Sequence, residues 1–208
     1  MTPEKCAQQT HFLQEGSGTD CLFFAWTTPD ADVAALQKRL LEVGDGNDCY
    51  EFARTVRSAD TQALQARVLK VGQSWHCHGF ARDIPGADIA ALQARVLEIG
   101  EARDCVAFAK DIKGADIASL QAKVLKDGDE RDCYGFARFV PGARIKALQA
   151  RMLEVGTEWG LLAFARDIPG ANKKALIARS AVLRSERDGS SCPSMAGSLI
   201  SFALQVES

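Results

Sequence analysis

The stretch 87–114, ADIAALQARVLEIGEARDCVAFAKDIKG, returns every 28 residues, and its reading decides the fold. Phe recurs at Phe24, Phe52, Phe80, Phe108, Phe136 and Phe164. Leu recurs at Leu36, Leu64, Leu92, Leu120, Leu148 and Leu176, and Gly at Gly16, Gly44, Gly72, Gly100, Gly128 and Gly156. Independent ladders with one spacing are the signature of a repeat architecture. Within the stretch, Asp88 suits a helix N-cap, and Ile89, Leu92, Val96 and Ile99 make one helical stripe. Gly100 is expected to end that helix as a left-handed glycine. A second helix comes next, with Cys105, Phe108, Ala109 and Ile112 on one side. A Pro-Gly or Lys-Gly pair closes it, at Pro85-Gly86, Lys113-Gly114, Pro141-Gly142 and Pro169-Gly170.

Helices this short are marginal alone, and each pair leaves an apolar stripe half exposed. Burying one large apolar side chain is worth about 1.5–3 kcal/mol, which stacking of successive pairs supplies. The expected fold is all-α: an α-solenoid of about six stacked two-helix repeats with end-capping helices. Residues 1–187 form the solenoid, with the first copy (1–30) and the last (171–187) divergent. At the N-terminus Thr2 and Pro3 suit a helix start, and Gln8 replaces the ladder Leu, as befits an end that faces water. Asn172 starts the last ladder helix, which runs to about Arg187 because Arg184 replaces the ladder Gly. Residues 188–208 are read as a linker plus a C-terminal capping helix or tail, with Leu199, Phe202 and Val206 inward.

Composition bounds the function. The 208 residues carry a net charge of −2, from 25 basic and 27 acidic side chains. That balance gives no general attraction to nucleic acid or to an anionic membrane. No run approaches a membrane span and the first residues do not read as a secretory signal, so the expected location is cytoplasmic. Five of the seven cysteines form a ladder, Cys21, Cys49, Cys77, Cys105 and Cys133. Stacked hairpins lie roughly 10 Å apart, too far for a disulfide, so these are read as reduced core thiols. Gln9, Gln37, Gln65, Gln93, Gln121 and Gln149 are read as structural amides that bond turn carbonyls of a neighbouring unit.

The outward face of the second helices is where binding is expected. It carries a near-constant basic ladder, Arg54, Arg82, Lys110, Arg138 and Arg166. Beside it, three places vary between copies and are rich in aromatics. The candidate partner surface is Tyr50, Trp75, His78, Arg103, Arg131, Tyr134 and Trp159. Trp, Tyr and Arg dominate binding hot spots, and solenoids present continuous faces of this kind. The competing accounts are free drift of solvent-facing positions and packing between repeats. The expected function is a non-enzymatic scaffold that binds an unidentified protein or peptide. The alternative is single-stranded nucleic acid tracked by the Arg/Lys ladder, with bases stacked on the aromatics. Asp83, Asp111 and Asp167 come directly after three members of that ladder, which argues for local ion pairs instead. Trp75-His76-Cys77-His78 holds metal-ligand types, but adjacent helical residues point apart, so neither a metal nor a cofactor is expected. No phosphate loop or nucleophile elbow occurs, and no catalytic residue is expected.

The two-helix unit resembles the TPR and HEAT class of solenoid repeats in architecture, across residues 3–187. It is shorter than either and lacks the TPR pattern of Trp, Gly, Tyr and Pro positions. The resemblance implies a helical superhelix used for protein–protein contact, and it brings no functional residue with it.

Overall fold

The computed structural model describes residues 1–189. Among them there are thirteen α-helices and no strands. The odd helices are α1 (Pro3–Glu15), α3 (Val33–Val43), α5 (Thr61–Val71), α7 (Ile89–Ile99), α9 (Ile117–Asp127), α11 (Ile145–Val155) and α13 (Lys173–Arg187). The even helices are α2 (Gly18–Thr27), α4 (Gly46–Thr55), α6 (Ser74–Asp83), α8 (Ala102–Asp111), α10 (Glu130–Phe139) and α12 (Glu158–Asp167). The expected extension of the last ladder helix to Arg187 is present. The capping helix expected over 194–206 lies outside the described residues.

The chain divides into two compact units. The first holds residues 1–100 and 111–116. In it, α2 packs on α3, α4 on α5 and α6 on α7, while α2 also meets α4 and α4 meets α6. The second holds residues 101–110 and 117 onward, where α10 packs on α11 and α12 on α13. In both, an even helix packs more extensively on the odd helix after it than on the one before. A repeat taken to begin at Ala87 pairs them the other way, and the structure corrects this. Residues 44–45 alone link α3 to α4, which forces a corner; residues 28–32 link α2 to α3 and let the chain fold back.

The ladders explain the core. Leu36, Leu64, Leu92, Leu120, Leu148 and Leu176 are fully buried, as are Phe52, Phe80, Phe108, Phe136 and Phe164. The five ladder cysteines are free thiols and fully buried. Burial pushes the Cys49 thiol up to about 12 and those of Cys77, Cys105 and Cys133 to about 11. These groups therefore behave as small core residues rather than nucleophiles. Ile99, expected on the buried stripe, is exposed; the buried set of α7 is Leu92, Gln93 and Val96.

The ladder glycines correct a second expectation. Gly100 ends α7 with φ −83° and ψ 160°, in extended rather than left-handed backbone. Gly44 and Gly72 do the same at the ends of α3 and α5. What these two require is room. A Cβ on Gly44 would stand 2.6 Å from the Leu40 carbonyl oxygen, and one on Gly72 would stand 2.5 Å from that of Val68. The left-handed glycines between helices are Gly86, Gly114, Gly142 and Gly170, with φ between 77° and 88°. Each sits third in a four-residue turn, as in Ile84-Pro85-Gly86-Ala87, where the Ala87 N–H donates to the Ile84 carbonyl. Proline followed by a positive-φ glycine is what such a turn demands.

One contact recurs along both units. The Gln37 side chain accepts from the Asp60 N–H at 2.8 Å and donates to the Asp60 carbonyl at 3.0 Å. Gln93 does this to Asp116, and Gln121 to Arg144. Gln9, Gln65 and Gln149 accept from the N–H of Asp32, Asp88 and Asn172. Every partner directly precedes the next odd helix, 23 positions on. The expected bond to a carbonyl is present at Gln37, Gln93 and Gln121, whereas the contact common to all six is acceptance from the N–H at the helix start, which corrects the expectation. The arginine ladder of the odd helices runs the opposite way. Arg39, Arg67 and Arg151 donate to the carbonyls of Gly16, Gly44 and Gly128, which end the preceding odd helices. Arg95 and Arg151 also pair with Glu98 and Glu154, as the i,i+3 spacing anticipates.

Candidate functional site

The even helices present the candidate strip. Their starts are fixed by reciprocal caps: Ser17 with Asp20, Asp45 with Asp48, and Asp129 with Asp132. In α6 the third-position acid is replaced by His76, whose Nδ1 accepts from the Gln73 N–H at 2.8 Å. Burial depresses the basicity of His76, which suits a neutral ring that accepts. In α12 Gly160 stands at that position. Glu130 fills the gap from the preceding even helix by accepting from the Thr157 N–H at 2.6 Å.

The seven candidate residues fall into two groups. Tyr50, His78 and Tyr134 are half buried. The Tyr50 hydroxyl donates to Asp83, and the Tyr134 hydroxyl donates to Asp167 at 2.9 Å. His78 Nε2 lies 3.2 Å from Asp111 Oδ2. The spacing is 33 residues each time, so one position on an even helix meets the last residue of the next or its equivalent. Gly79 makes room for the first of these, since a Cβ there would stand 3.2 Å from the Tyr50 ring. Tyr50 and Tyr134 thus join consecutive even helices, and His78 occupies the same place in the pattern.

Trp75, Arg103, Arg131 and Trp159 are exposed. Trp159 is 73% exposed, and Trp75 is 50% exposed. The Trp75 indole stacks on the His76 ring at 3.5 Å and its Nε1 donates to Gln73 Oε1 at 3.0 Å. Two contacts therefore fix that ring in place while half of it stays in water. Arg103 pairs with Glu101 at 3.0 Å, and both side chains are exposed. Three further exposed aromatics among the described residues are absent from the sequence-based candidate set: Phe23 and Trp26, one turn apart on α2, and Phe139 at the end of α10. A signal existed: Trp26 stands where later copies carry Arg54, Arg82, Lys110, Arg138 and Arg166.

Charge on this face is largely neutralised in place. Arg54 pairs with Glu51, Arg82 with Asp83 and Arg166 with Asp167. The Arg82 guanidinium and the Tyr50 hydroxyl hold the Asp83 carboxyl down to about 2. Arg166 and Tyr134 hold Asp167 well below the ordinary carboxylate range. For His78, burial lowers the proton affinity and Asp111 opposes it, with a net lowering.

The ligand types in Trp75-His76-Cys77-His78 diverge. His76 turns to its own helix start, Cys77 enters the core, and His78 reaches Asp111. Among the described residues no three His, Cys, Asp or Glu side chains are grouped to hold a metal ion, and no helix is long and apolar enough to cross a membrane. Set beside known proteins, the chain matches no family model, no curated protein and no solved structure.

Proposed function

We propose that the chain is a non-enzymatic, cytoplasmic scaffold that binds a protein or peptide along its even helices. In this reading its helix pairs stack as an α-solenoid of about six 28-residue repeats. The recurrence of the glutamine contact at a spacing of 23, in both compact units, supports the stacking. The observation that carries the binding reading is the exposure of Trp159 and Trp75 on equivalent positions of two even helices. A large indole held open to water gains most when a partner covers it, and Trp is among the residues most enriched in binding hot spots.

Trp75, Arg103, Arg131 and Trp159 make the contact in this proposal. Tyr50, His78 and Tyr134 set the spacing of the helices that carry them. Nucleic acid is the weaker reading, because Arg54, Arg82 and Arg166 of the ladder are already paired with carboxylates.

The test is capture from a lysate of the source cell, with the wild-type chain and the Trp75→Ala/Trp159→Ala variant as baits. The expected result is loss of the captured protein in the variant, with helicity and melting temperature nearly unchanged. Tyr50→Phe/Tyr134→Phe is expected to keep capture. Equal capture by the tryptophan variant refutes the reading. So does tight oligonucleotide binding that weakens steeply between two salt concentrations.

A further inference from the structure

We propose that the cleft at the end of α12 and α13 is the docking site of this chain's own C-terminal segment, residues 190–208. The cleft encloses ≈ 300 Å³, and Leu162, Ile177 and Ala181 form its apolar part. Arg184 and Asp188 lie at its rim. One of these residues breaks the pattern that joins successive helices elsewhere. Ile177 occupies the place of the ladder glutamine. From Gln9 to Gln149, that side chain holds the peptide at the start of the next odd helix. Isoleucine has no group to hold a peptide, and Ile177 is 52% exposed. Leu162 adds apolar surface beside it, at a place that holds Leu22 and Val106 in other copies and Tyr50 and Tyr134 in two more. This face therefore lacks the amide that takes up the next odd helix and offers apolar surface in its place.

The rim is held by charge. Glu158, buried beneath it, accepts from Arg184 at 2.6 Å and from Arg187 at 2.9 Å. The chain leaves α13 at this rim through Asp188. The segment beyond Asp188 has the matching chemistry. Residues 190–193 span at most about 13 Å, enough to re-enter a cleft beside their own origin. After them, Met195, Leu199, Phe202 and Val206 recur at spacings of three or four, and Glu207 is the one charged residue after Asp188. A tether this short gives an effective concentration on the order of millimolar, so even weak apolar contact fills the site. A second copy or a foreign peptide competes against that local concentration.

Hydrogen exchange on the full chain tests the proposal, comparing wild type with Leu199→Asp/Phe202→Asp. The expected result is exchange about tenfold faster at amides around Ile177 and Ala181, with α10 and α11 unchanged. Ile177→Asp is expected to give the same acceleration, and combining it with the segment variant to add nothing, because both empty one site. A synthetic peptide of residues 190–208, added to the segment variant, restores protection. Unchanged exchange around α13 in the segment variant overturns the proposal. So does protection that disappears on dilution of wild type, which assigns the cleft to a second copy.

Discussion

Replacing Gln37 by Met isolates the contact on which consecutive odd helices depend. Met keeps the length and the apolar body of the side chain, so no cavity opens. What is lost is the acceptor for the Asp60 N–H at 2.8 Å and the donor to its carbonyl at 3.0 Å. Gln37 is 5% exposed, so water does not readily take its place. A buried backbone group left without its partner costs about 1–3 kcal/mol. Asp60 itself is exposed and recovers some hydration, which keeps the total for the two groups near about 1–3 kcal/mol rather than twice that. Gln65→Met, with only the Asp88 N–H to lose and a half-buried side chain, is expected to cost about 1 kcal/mol. Urea unfolding followed by circular dichroism gives the loss. Exchange of the Asp60 amide locates it, since helix pairs need not unfold together. A Gln37→Met change below about 0.5 kcal/mol, with Asp60 still protected, refutes the reasoning.

Three other outcomes are expected. Gly44→Asn is destabilising because its Cβ meets the Leu40 carbonyl, whereas Gly142→Asn is mild because nothing stands within 4 Å and asparagine tolerates φ +80°; thermal melts of the pair separate close approach from backbone hand. The Asp83 carboxyl, held near 2 against an unfolded value of about 4, lends stability that is complete above pH 4 and is lost as pH falls towards 2. The urea midpoint measured between pH 2 and 6 is expected to fall least for Arg82→Gln, the largest source of the shift, and less for Tyr50→Phe than for wild type. Iodoacetamide followed by mass spectrometry is expected to label Cys6, which is exposed, within minutes, and Cys49, Cys77, Cys105 and Cys133 only in denaturant.

Some of this is legible in the residues alone and some is not, for reasons that differ from position to position. The buried Leu, Phe and Cys ladders are, because burial acts on side-chain type and each copy repeats the same choice. The ladder glycines stand out in the sequence, yet their reason does not. A glycine after a helix reports that a Cβ is excluded, and the sequence does not say whether φ or a nearby carbonyl excludes it. The hairpin boundary falls half a unit away from the expected one, since a ladder has period but no natural starting point. On the strip, Tyr50, His78 and Tyr134 differ from the exposed candidates through a partner 33 residues on. That partner is visible in the sequence. Asp83, Asp111 and Asp167 appear 33 residues after Tyr or His, while Leu22 and Val106 have Thr55 and Phe139 at the same offset. Comparing offsets longer than one period separates joint from surface.

The glutamine contact has a direction, and direction has a consequence for how the chain is made. Each odd helix carries, before its successor exists, the amide that will receive that successor's first peptide group. During synthesis from the N-terminus, every finished segment is a template waiting for the next. A duplication of 28 residues inside the chain would keep every such handshake, and one of a length that is no multiple of 28 would break it. At Ile177 the ladder glutamine is replaced by a side chain with no amide, so that helix offers no such handshake.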